Sequence, residues 1–185
     1  NWGFENGQEA AIAAVEKLGG LSHINHPGDW LVCDGKIDKV MDPKNIKYFS
    51  ELLLKYPSCL GLEAVNGFTS VTPYDRVLWD NVLMYCLPYG RNVYGFTSSD
   101  AHNVGRLDDC FNYYVMPEKS MDAMRECLET GTFFGATHKV VANDIIGPEK
   151  DINASTGSDL PLPQVGYLKV DGHKIRLKVS NASYV

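Results

Sequence analysis

Three times between Gln8 and His102, a stripe of apolar residues at helical spacing gives way to a short apolar run that ends in structure-breaking residues. Ala11, Ala14, Val15 and Leu18 form the first stripe, and Gly19-Gly20 stops it. Leu21 to Ile24 then reads as a buried strand, ending at His26-Pro27-Gly28 where proline and glycine break regular structure. Asp42-Pro43 opens a second helix, with the aspartate as N-cap and the proline in the first turn. Ile46, Phe49, Leu52, Leu53 and Tyr56 trace its core face, and Cys59 to Val65 makes the second strand before the turn pair Asn66-Gly67. Thr72-Pro73 caps a third helix with Leu78, Val82, Tyr85 and Cys86 inward, followed by a strand at Asn92 to Thr97 and the segment Ser98-Ser99-Asp100-Ala101-His102. Alternation of this kind predicts an α/β fold with a parallel sheet or part of a (β/α) barrel, since each helix carries the chain back to start the next strand in the same direction.

Phe111 to Met116 reads as a further strand, and Ser120 precedes a fourth helix with Met121, Met124 and Leu128 on its core side and Gly131 at its end. Beyond Val140 the texture changes. Gly147 to Pro163 is rich in Pro, Gly, Ser and Asp, and Gly166 to Val185 alternates like a hairpin around Asp171-Gly172. We therefore divide the chain into a (β/α) part, residues 1–140, and a linker with an incomplete β-rich domain, residues 141–185. Four helix–strand units do not close a barrel, and the chain opens on a helix with no strand before it. The expectation is a piece of a larger barrel, whose exposed strand edges favour dimerisation or association with the missing half.

A formal net charge of −6 over 185 residues argues against binding nucleic acid through phosphate neutralisation. There is no run of about 18 apolar residues and no secretory signal pattern, so neither a membrane span nor a leader is expected, and the sequence names no compartment. The five cysteines have no CxxC spacing and mostly lie among apolar residues, which reads as buried thiols.

In a parallel α/β architecture active sites are built at the C-terminal ends of the strands. Here three successive ends carry side chains suited to a divalent cation: His26, then Glu63 and Asn66, then Asp100 and His102. In an extended segment Asp100 and His102, two residues apart, face the same way, and a carboxylate with neutral imidazoles suits Zn, Mn or Fe. His26 before proline is read as held in an extended break. His23, three residues earlier, would face away from it and reads as packing or support. Glu63 sits between Gly61-Leu62 and Ala64-Val65, where a charge needs a partner. Arg106 is placed to meet an anionic substrate group, although an exposed loop arginine is the simpler reading. His138 and His173 have no ligand-like company. There is no Walker glycine loop, no G-x-S-x-G elbow and no H-E-x-x-H.

Gly19-Gly20-Leu21-Ser22-His23-Ile24-Asn25-His26-Pro27-Gly28, Gly61-Leu62-Glu63-Ala64-Val65-Asn66-Gly67 and Ser98-Ser99-Asp100-Ala101-His102 resemble, in order and spacing, the later motifs of PHP (polymerase and histidinol phosphatase) domains. Leu128 to Phe134, with Gly131-Thr132-Phe133-Phe134, is similar to the family's last helix and turn. The resemblance covers about residues 7 to 140, and the trailing hairpin brings the CehA/McbA-like branch nearest. It implies a partial distorted (β/α)7 TIM-like barrel followed by the start of a small β domain. It further implies two or three divalent metal ions in the complete site, with His26, Asp100 and His102 among the ligands and Glu63, Asn66 and Arg106 around them.

The implied activity is a metal-dependent hydrolase, foremost a phosphoesterase using metal-activated water on a small, phosphorylated substrate. The family's opening H-x-H and its middle His and Glu ligands are absent from these residues, so this piece alone is expected to be inactive. Two other readings stay open: a degenerate, non-catalytic PHP-like binding module, and a metal-dependent hydrolase of a non-phosphate ester or amide.

Overall fold

The structure, a computed structural model, describes residues 7–31, 38–67, 72–107, 110–137 and 162–182, apart from the side chains of residues 29, 72, 73 and 106. Within those residues the chain is a mixed α/β protein whose sheets do not close on themselves. Helix α1 (Gly7–Lys17) leads to strand β1 (Ser22–Ile24), and two short helices follow, α2 (Pro27–Leu31) and α3 (Asp38–Met41). Helix α4 (Pro43–Lys55) then precedes strand β2 (Cys59–Asn66), and helix α5 (Thr72–Cys86) precedes strand β3 (Tyr94–Ser98). The order is β1-β2-β3 with both pairings parallel, as the helix–strand alternation predicts.

The second unit illustrates why these residues take these forms. The Asp42 carboxylate accepts from the Lys44 N–H at 2.8 Å, satisfying a donor that the first helical turn leaves open. Proline in the first turn gives up no hydrogen bond. At the far end Pro57 disfavours helical backbone at Tyr56, which turns to φ −118° and ψ 93°. Strand β2 is central and covered on both faces, so every residue but Val65 is buried. Phe49, Leu52 and Leu53 of α4 and Leu78 and Val82 of α5 pack with Leu62 in one core. Each such side chain contributes about 2 kcal/mol by leaving water.

Beyond β3 the parallel pattern stops. Strand β4 (Cys110–Tyr114) pairs antiparallel with β5 (Phe133–Thr137), and helix α6 (Met121–Thr130) joins them. The outer edge of β3 meets a side chain where another strand would pair. The Thr97 N–H donates to Asn112 Oδ1 at 3.0 Å and Asn112 Nδ2 donates to the Thr97 carbonyl at 2.7 Å, so one carboxamide stands in for a backbone partner. Gly135 of β5 approaches the same Thr97 side chain.

Four local expectations are corrected. Pro27 begins helix α2 where a break is predicted. Helix α6 buries Ala123 and Cys127, while Met121 is 83% exposed, because the capped helix is rotated to put its small residues against β4 and the Thr132 turn. Phe133 and Phe134 lie in strand β5, where only a closing turn is read from sequence. The fourth strand, Phe111 to Met116, begins at Cys110 and ends at Tyr114.

The predicted hairpin is present as β6 (Gln164–Asp171) and β7 (Lys174–Ser180), turning at Gly172 with φ +58°. The proposed boundary at 140–147 lies outside the described residues. Cys59, Cys86, Cys110 and Cys127 are buried thiols, and burial pushes the Cys59 and Cys86 thiols above their ordinary range. Cys33 lies outside the described residues. Among the described residues no helix is long and apolar enough to cross a membrane.

Candidate metal centre

Parallel pairing in the order β1-β2-β3 brings the C-terminal ends of the three strands side by side. Glu63 sits at their junction, 2% exposed on the central strand. Its carboxylate accepts from the His26 backbone N–H at 2.7 Å, from Asn66 Nδ2 at 2.9 Å and from the Ser98 hydroxyl. One buried acid thus ties the segment after β1, the end of β2 and the end of β3. A carboxylate in apolar surroundings needs such donors, because leaving it unsatisfied costs several kcal/mol. Asn66 and Ser98 are register partners at the ends of β2 and β3, and the Gly67 N–H donates to the Ser98 carbonyl at 2.7 Å.

His26 departs from the extended backbone read from its place before proline. It has φ +31°, on the left-handed side that non-glycine residues seldom occupy. Hydrogen bonds on both sides of Pro27 hold it there: His26 N–H to Glu63, and Gly28 N–H to Asp75 Oδ1 at 2.6 Å. Its ring accepts at Nδ1 from Trp30 Nε1 at 3.3 Å.

Asp100 also departs from extended backbone, with φ +47°, so the alternation argument that pairs its side chain with His102 does not apply. The two still adjoin. His102 Nδ1 lies 2.7 Å from the Asp100 carbonyl oxygen and 3.8 Å from its carboxylate Oδ2. A carbonyl only accepts, so Nδ1 carries a proton, and in the neutral ring Nε2 then keeps the lone pair, the arrangement a metal-binding histidine uses. His102 is 79% exposed in its side chain.

The donor chemistry therefore suits a divalent cation at Asp100 and His102, whereas the His26 ring is engaged elsewhere. Among the described residues no group of three or more His, Cys, Asp or Glu side chains is gathered closely enough to hold an ion. Arg106 closes a 3-10 turn, Val104–Arg106, and its side chain lies outside the described atoms, as does His138 altogether.

His23 stacks on Phe96 with ring centroids 4.3 Å apart while part of it stays open to solvent. Burial against that neighbour lowers its pKa from 6.5, and the nearby Glu63 charge opposes the shift. A histidine whose folded pKa is lowered binds fewer protons folded than unfolded, so stability falls as pH drops below the ordinary value of 6.5. We expect the melting temperature of His23→Gln to fall less than that of the native chain between neutral and mildly acidic pH. Parallel slopes in thermal melts at the two pH values would contradict this.

Three participants have no clear signal in the sequence. Trp30 stands four residues after His26, a spacing that matters only once Pro27 is known to start a helix. Ser98 and Asp75 reach Glu63 and Gly28 across 35 and 47 residues of chain. Compared with family models, with curated proteins and with solved structures, the chain matches none.

Proposed function

We propose that this chain supplies part of the catalytic face of a metal-dependent hydrolase, acting on a small phosphorylated ester, and that its helix–strand units belong to a partial distorted (β/α)7 barrel of PHP type. The observation that carries the reading is backbone conformation. His26 and Asp100, candidate ligands just past the ends of β1 and β3 on either side of the central strand, both adopt left-handed φ, and Glu63 of that central strand buttresses the segment of the first. Sparsely populated backbone persists only where surrounding contacts enforce it, and it gathers at functional sites.

Asp100 and His102 would hold a divalent ion, with His26 joining them. Such an ion, when bound, supplies positive charge that activates water and offsets the charge developing on a phosphoryl group. The residues of this chain do the positioning. Glu63 locks the strand ends, and the Asp100 carbonyl orients the His102 ring.

The decisive test is hydrolysis of phosphate mono- and diesters by the parent protein with added Mn²⁺ or Zn²⁺. Asp100→Ala is expected to lower activity or metal affinity by about 100-fold. Native protein that cleaves no phosphoester with either metal, yet cleaves an amide or carboxylic ester, would move the assignment to non-phosphate substrates. A non-catalytic binding module is favoured by one observation, the engagement of the His26 ring by Trp30. Absence of all hydrolysis with ligand binding retained would select it.

A further inference from the structure

A neutral imidazole has one ring N–H and one lone pair, and an indole N–H can only donate. Trp30 Nε1 lies 3.3 Å from His26 Nδ1, so Nδ1 is the acceptor and the ring proton resides on Nε2. Neither nitrogen is then able to ligate a cation, since Nδ1 is engaged and Nε2 is protonated. Both partners are anchored from behind. The His26 N–H is fixed to Glu63, and α2, which carries Trp30, is tied to α5 by the Gly28 to Asp75 hydrogen bond. The rings are tilted by 57° with centroids 6.3 Å apart, which sets the indole edge toward the imidazole. His102 has the opposite arrangement, with its Nε2 lone pair open.

We infer that Trp30 is a positioning residue that gates His26. While the indole donates to Nδ1, His26 presents Nε2–H outward as a donor fitted to an anionic oxygen. Entry of His26 into a metal centre requires the indole to withdraw, which frees the Nδ1 lone pair, and ligation through Nε2 requires a change of tautomer as well. In that exchange Nε2 loses a proton to solvent and Nδ1 gains one from it, so no net charge is transferred. The inference deepens the metal-centre reading and rests on it. Asp100 and His102 would take a cation first, and His26 would follow only on release from Trp30.

The test uses the 185-residue chain with ¹⁵N-labelled histidine, metal-free at about pH 8 so that ordinary imidazoles are neutral. His26 signals, assigned by their loss in His26→Gln, are expected to show the Nε2–H tautomer, and Trp30→Phe to shift them toward a mixture. Titrated with Zn²⁺ in a calorimeter, Trp30→Phe is expected to bind about threefold more tightly than the native chain, the size of one lost competing hydrogen bond. The gain should vanish when Trp30→Phe is combined with His26→Gln.

An Nδ1–H spectrum in the native chain overturns the gate. So does equal zinc affinity in the two chains, or a gain that survives His26→Gln. Failure of both chains to take up zinc while the native spectrum shows Nε2–H has a different pattern. It removes the metal centre itself, and the gate with it.

Discussion

Glu63→Ala is expected to lower folding stability by about 3 kcal/mol and to loosen the segments after β1 and β3 together. The carboxylate is buried and receives the His26 N–H, Asn66 Nδ2 and the Ser98 hydroxyl. Truncation leaves three donors facing a void on the central strand. Each hydrogen bond to a charged acceptor is worth roughly 1.5–3 kcal/mol, and water entering the void recovers part of the sum. Glu63→Gln keeps the volume but turns an amide N–H₂ toward donors, so it too should be destabilising. Urea unfolding followed by far-UV circular dichroism reads both as a lower midpoint at unchanged slope. A Glu63→Ala chain as stable as the native one would mean that these hydrogen bonds are replaced by water at no cost.

Gly28→Ala should be comparably severe, at about 3 kcal/mol. A methyl group at residue 28 would lie 2.6 Å from the Asp75 backbone nitrogen and 2.7 Å from both the Asp75 carboxylate and the Tyr74 carbonyl carbon. Those atoms cannot give way easily, because Leu78 and Val82 seat α5 in the core. The glycine of the His-Pro-Gly segment therefore answers to the close approach of α2 to α5 and not to a turn. Displacing α2 would also stretch the Gly28 to Asp75 hydrogen bond and carry Trp30 away from His26. Gly105→Ala is the control: among the described residues its methyl would meet only Asn103 Oδ1 at 3.4 Å, and a change within about 0.5 kcal/mol is expected. Equal melting temperatures for Gly28→Ala and Gly105→Ala would refute the close-approach argument.

These two positions show where sequence reading stops. Glu63 stands out as a charge inside an apolar run, which demands a partner, but the partners come from two other strand ends. Gly28 looks like a turn residue next to a proline, and only the packing of α5 reveals why a side chain is excluded. The same limit governs Asn112, whose carboxamide closes the edge of β3, and β5, whose phenylalanines pair with β4 across α6.

The sequence by itself determined the helix–strand alternation, the caps at Asp42 and Ser120, the hairpin turn at Gly172 and the succession of chemically useful residues at three strand ends. All of these follow from spacing within a few residues, where periodicity and local hydrogen bonding act. Tertiary structure alone decided the backbone at His26 and Asp100, and with it which way their side chains point. The preference of a pre-proline residue for extended backbone is only a local bias. At His26 it is outweighed by a buried carboxylate 37 residues away that accepts the His26 N–H.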